Sequence, residues 1–174
     1  MIYTFVLELI FLMKQKYKIT SIITAFICFV IIIYLIPTSR HWIYYTLTDL
    51  IVPNTISKKS LTNIKTDDYL VLDCRELEEY KTSHLPNAYW LGEDSLFWNR
   101  LPKNVTKPIL IYCSIGYRSS FVGKQISDSL HIEIYNLEYG IFNYNYLKKP
   151  LLDSLENSTT TVHPFSPLWG IFVD

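Results

Sequence analysis

Two runs, YLVLD (69–73) and ILIY (109–112), are apolar at consecutive positions, not at alternate ones. A strand with one wet face alternates, so these runs require strands covered on both faces, as in a parallel sheet. AYWL (88–91) and IEIY (132–135) are shorter candidates of the same kind. Between them lie the helical segments 76–83, 94–101 and 119–130, and in the last Val122, Ile126 and Leu130 recur at four-residue spacing as one stripe. Strands alternating with helices over these distances imply crossover units and an α/β fold.

The alternation begins only near residue 56, and what precedes it is different in kind. Residues 19–36, ITSIITAFICFVIIIYLI, hold no charge, glycine or proline. As a helix they rise about 27 Å, close to the thickness of a bilayer core. A cleaved signal peptide is the alternative, but the run is long for one and no small-residue cleavage site follows it. An uncleaved transmembrane helix is therefore expected. Lys14, Lys16 and Lys18 precede it and only Arg40 follows closely. That asymmetry keeps the N-terminus in the cytoplasm and puts the remainder on the extracytoplasmic side. Met13 directly precedes the basic cluster and offers an alternative start to Met1. The expected organisation is a short cytoplasmic N-terminus (1–18), the span (19–36), a juxtamembrane connector (37–55), an α/β domain (56–149) and a C-terminal extension packing on it (150–174). Pro37 is expected to stop the first helix, with the aromatic-rich connector near the headgroups or helical against the domain.

Charge excludes one class of partner. Sixteen lysines and arginines balance sixteen aspartates and glutamates, so no global field draws in nucleic acid. Three cysteines are too few for a disulfide framework, and no pair has metal-binding or redox C-x-x-C spacing. Neither a metal nor a cofactor is called for.

In open α/β sheets the chemistry sits at the C-terminal ends of strands. Asp73-Cys74-Arg75-Glu76 ends one buried run, and Cys113-Ser114-Ile115-Gly116-Tyr117-Arg118-Ser119 ends the other. A short strand-to-helix turn points N–H groups inward, and the helix N-terminus adds partial positive charge. Gly116 permits the tight backbone, and Arg118 supplies a cation. Together they favour an anion at Cys113, either its own thiolate or an anionic adduct. The competing reading is a buried small residue that happens to end a strand.

The loop resembles the C-x-x-G-x-R-S active loop of single-domain rhodaneses. Asp73-Cys74-Arg75-Glu76, followed by Glu79-Tyr80, resembles the family's D-x-R-E segment. His84-Leu85-Pro86-Asn87-Ala88 resembles its H-I-P-G-A, and Asn136-Leu137-Glu138-Tyr139-Gly140-Ile141 resembles the N-L-x-G-G-I run before the last helix. The likeness covers residues 56–149, and the tail 162–172 is similar to an extension on exported bacterial relatives. It implies a rhodanese-like α/β fold with roughly five mostly parallel strands. It also implies a sulfurtransferase that carries sulfane sulfur as a Cys113 persulfide. The substrates would be a small anionic donor, such as thiosulfate or a persulfide, and an acceptor such as a thiol or cyanide. Arg118 would orient the donor and stabilise the loop, with Ser114, Ile115, Gly116 and Ser119 completing the wrap and Tyr117 lining the mouth. Asp73 and Arg75 would brace the loop, and His84 would be structural.

Four residues separate Cys113 from Arg118, where phosphatases of the same fold have five, so the tighter loop favours sulfur over phosphate or arsenate. A non-catalytic module binding an anion or a protein is the other alternative. Two departures stand out: Asn87 and Tyr139 occupy positions usually held by glycine. Asn tolerates left-handed geometry, whereas Tyr139 is expected to need a different backbone. Cys74 reads as a small apolar residue, with a reversible disulfide to Cys113 as the sharper alternative.

Overall fold

The computed structural model describes residues 2–35 and 37–173; residue 36, the end of the expected span, lies outside the described residues. The chain divides into two compact units, 1–43 and 44–174. The first contains helix α1 (Ile2–Leu35) and the start of α2 (Pro37–Ile51). Within α1, Leu12–Ile32 is long and apolar enough to cross a membrane, with mean hydropathy 1.5 and no residue buried. Pro37 opens α2, since its fixed φ suits a first helical turn and its missing N–H is not needed there.

The second unit is built on a parallel sheet of five strands: β1 (Ser57–Lys59), β2 (Leu70–Asp73), β3 (Ala88–Trp90), β4 (Ile109–Tyr112) and β5 (Ile134–Leu137), in the order β1-β5-β4-β2-β3. Central β4 has all four residues buried. Its alternate side chains serve two cores. Leu110 and Tyr112 join Val71 and Ile141 on one face, while Ile109, Ile111 and Cys113 join Leu72, Cys74, Val122 and Ile126 on the other. This two-sided cover explains why the sequence pattern is continuous and not alternating.

Helix α5 (Tyr117–Leu130) covers the Cys113 face with Val122 and Ile126. Helix α6 (Gly140–Tyr146) and the α2 residue Tyr44 lie against the other core. Helices α3 (Leu77–Thr82) and α4 (Phe97–Arg100) are short. The C-terminal segment forms a two-stranded ribbon, β6 (Leu151–Leu152) with β7 (Ser158–Thr159), bridged to His84 through Leu152.

The sheet departs from the sequence reading at its edges. Strand β1 is three residues, two of them lysines, on an outer edge, and leaves no apolar run to read. Strand β5 begins at Ile134 instead of 132, because His131 ends α5 in the left-handed conformation (φ 53°) and the chain must first unwind. Tyr139 does not avoid the glycine conformation: it adopts it, at φ 60°. Its surroundings hold it there. The Tyr44 hydroxyl donates to the Tyr139 carbonyl (2.5 Å), its own hydroxyl donates to Asp49 (3.2 Å), and its ring packs on Tyr45 at 4.6 Å.

Candidate active site

Cys113 is the first residue past β4, and its loop runs directly into α5 through Gly116, which takes φ 99°. That left-handed turn swings the Gly116 N–H back onto the Cys113 sulfur at 3.1 Å. The loop is pinned from both sides. Asn136 at the end of β5 donates from its amide to the Gly116 carbonyl (2.8 Å) and accepts from the Ser119 hydroxyl (2.7 Å). The start of α6 donates the Ile141 N–H to the Cys113 carbonyl (3.0 Å) and the Phe142 N–H to the Ser114 carbonyl (3.2 Å). Gly140 makes that docking possible. A Cβ there would stand 2.5 Å from both carbonyl oxygens, and its φ is 57°.

Arg118 lies in the first turn of α5 and reaches across to α3. Its two terminal nitrogens donate to the Glu79 carboxylate at 2.7 and 2.8 Å, and one also meets the Ser114 hydroxyl at 2.9 Å. Glu93 lies 3.4 Å from the same guanidinium, and the Phe165 ring faces it at 4.7 Å. Burial pushes Glu79 upward, but hydrogen bonds and charge from Arg118, the charge of Arg75 and the Glu76 N–H more than reverse this, so its carboxyl lies below the ordinary range. Glu79 also accepts the Glu76 N–H (3.1 Å), closing a capping box at the start of α3.

Asp73 and Arg75 form a separate buried unit. The Arg75 guanidinium holds Asp73 at 2.6–3.1 Å and the Ser83 carbonyl at 2.5 Å, and the Tyr112 ring lies 5.6 Å away. This fixes the loop after β2 beside the end of β4. His84 is stacked on Tyr80 at 4.1 Å and does not line the cavity at Cys113.

Cys74 follows β2 as Cys113 follows β4, and the register pairing Asp73 with Tyr112 sets the two cysteines side by side. Their side chains share one core, and both thiols are free. The Cys74 thiol is within reach of the Tyr112 carbonyl (3.1 Å) and of the Cys113 sulfur. Burial and the neighbouring Cys113 push Cys74 well above the ordinary thiol range, so it remains a proton donor. Cys113 moves the opposite way. Burial works against its thiolate, but the Cys74 thiol, the Arg118 charge and the Ser119 N–H and hydroxyl outweigh it and hold the thiol well below its ordinary range.

Cys113, Ile115, Tyr117, Phe165 and Trp169 are among the residues that line a cavity of about 220 Å³. Of the residues singled out in the sequence, the structure places the loop and Arg118 around Cys113, with the Asp73–Arg75 pair a separate buried unit beside them. The sequence misses the part played by Glu79, which the resemblance supplies only as half of a matched dipeptide, and that of Asn136. It also misses Phe165 and Trp169, which come from the C-terminal segment and carry no local signature.

The Rhodanese-like domain family matches residues 57–146. Among curated relatives, a tRNA sulfurtransferase of Desulfurococcus amylolyticus is 31% identical over 77 residues, covering 44% of this chain and 15% of the relative. The thiosulfate sulfurtransferase GlpE of Coxiella burnetii is 28% identical over 74 residues, covering 42% and 69%. The chain thus spans only a small part of the first of these. Among solved structures, a rhodanese-related protein of Thermoplasma volcanium aligns with a TM-score of 0.49 at 22% identity, over 56% of this chain and 98% of that one.

Proposed function

Because the chain belongs to the rhodanese-like domain family, we propose that it is a sulfurtransferase that carries sulfane sulfur on Cys113. The observation that supports this most directly is the Gly116 N–H aimed at the Cys113 sulfur from 3.1 Å, in a loop that lines a cavity.

The chemistry is ping-pong. The Cys113 thiolate attacks the sulfane sulfur of the donor, forming one S–S bond while the donor's own bond to that sulfur breaks. The bonding pair leaves with the donor remnant, sulfite from thiosulfate or a thiolate from a persulfide. The Cys113 persulfide carries its negative charge on the outer sulfur, near the loop N–H groups and the α5 N-terminus. An acceptor thiolate or cyanide then attacks that outer sulfur, and Cys113 leaves as the thiolate it began as. Asp73, Arg75, Glu79 and Asn136 hold the loop in shape throughout. Residues 19–36 anchor the protein, and Lys14, Lys16 and Lys18 ahead of them keep the N-terminal end cytoplasmic, with the domain on the extracytoplasmic side.

Steady-state transfer from a sulfane donor to cyanide, read as thiocyanate, tests the reaction. Parallel double-reciprocal lines and complete loss in Cys113→Ser are expected. Transfer that survives Cys113→Ser would overturn the assignment.

A further inference from the structure

Resting on that reading, we propose that the donor is a singly charged organic sulfane compound with an aromatic or branched-alkyl body, such as an organic persulfide or thiosulfonate, in preference to thiosulfate. The cavity over Cys113 carries the argument. Among its described lining residues, Arg118 is the one cation. That cation is already engaged. Glu79 takes both terminal nitrogens at 2.7 and 2.8 Å, Glu93 stands at 3.4 Å, and the Phe165 ring covers the guanidinium at 4.7 Å. A dianion entering here would lose its hydration and meet, beyond the partial charge of the loop N–H groups and the α5 N-terminus, only a cation already paired with Glu79.

The rest of the wall suits an apolar body. Ile51, Ile115, Tyr117, Phe165 and Trp169 surround a space of about 220 Å³. Phe165 and Trp169 are each held by neighbours. Phe165 takes φ 63°, which is costly for a bulky side chain, and the His163 ring nitrogen accepts its N–H at 3.1 Å. Trp169 meets Tyr44 edge-on at 6.5 Å and Phe172 at 5.8 Å. The sulfane end of the donor meets the Cys113 thiolate, and its body lies between these rings. Loading from an arenethiosulfonate balances as Cys–S⁻ plus Ar–SO₂–S⁻ giving Cys–S–S⁻ plus Ar–SO₂⁻.

The test is the rate at which full-length protein in detergent gains one sulfur atom on Cys113, followed by intact mass. The donors are benzenethiosulfonate, methanethiosulfonate and thiosulfate, each rate divided by that donor's rate with a small free thiol. The first two differ in body at equal charge, and the last two differ chiefly in charge. Benzenethiosulfonate is expected to lead methanethiosulfonate by about tenfold or more, with thiosulfate slowest. Trp169→Ala and the milder Phe165→Leu are expected to bring the benzene-to-methane ratio toward one. Equal loading by all three, or fastest loading by thiosulfate, overturns this inference and leaves sulfur transfer standing. No loading by any of them overturns sulfur transfer itself.

Discussion

At the scale of single residues, the site is a set of charges each answered by a neighbour. The Cys74 thiol, Arg118 and Ser119 push the Cys113 thiol below its ordinary range despite its burial. Replacing Cys74 by Ala removes a donor, and the midpoint of the pH profile for Cys113 alkylation by iodoacetamide is expected to rise. An unchanged midpoint would mean that Cys74 only fills space. The sign for stability follows the same shift. A depressed thiol contributes stability above the ordinary thiol pKa and loses it as pH falls through the lowered value. Arg118→Met should cost about 3 kcal/mol in urea unfolding, because Glu79 is then left buried without its partner. The sequence reveals Cys113 and Arg118, since both lie in one short loop with a glycine between them. It does not reveal that Arg118 answers to Glu79, because 39 residues separate the two and only the sheet order brings them together.

At the scale of elements, the loop is a product of what docks on it. Helix α6 caps the Cys113 and Ser114 carbonyls, and Gly140 lets it come that close. Gly140→Ala is expected to destabilise the domain by about 3 kcal/mol through backbone clash and a left-handed φ, measured by urea unfolding, and to slow Cys113 loading with it. The buried strands were legible because burial on both faces leaves continuous apolar runs. The edge strand β1 was not, since a short polar strand has nothing to repeat. Tyr139 shows the limit of reading one position alone. Its left-handed backbone depends on Tyr44, Tyr45 and Asp49 from α2, some 90 residues away.

At the scale of the whole molecule, a helix with an apolar span and an α/β domain share one chain, and the lysines ahead of that span set the proposed direction. A C-terminal tag is expected to be digested by protease added to intact spheroplasts, while an N-terminal tag survives. The reverse pattern would invert the topology. The fold brings Phe165 and Trp169 from the far end of the chain to the cavity that Cys113 lines, a feature no local pattern announces. Sulfur carriage by Cys113 is tested most directly by intact mass of the full-length protein after brief exposure to thiosulfate, a persulfide and an organic thiosulfonate in turn. One added sulfur atom on Cys113 is expected with at least one donor, absent in Cys113→Ser and removed by added thiol. No adduct on Cys113 with any donor would contradict it.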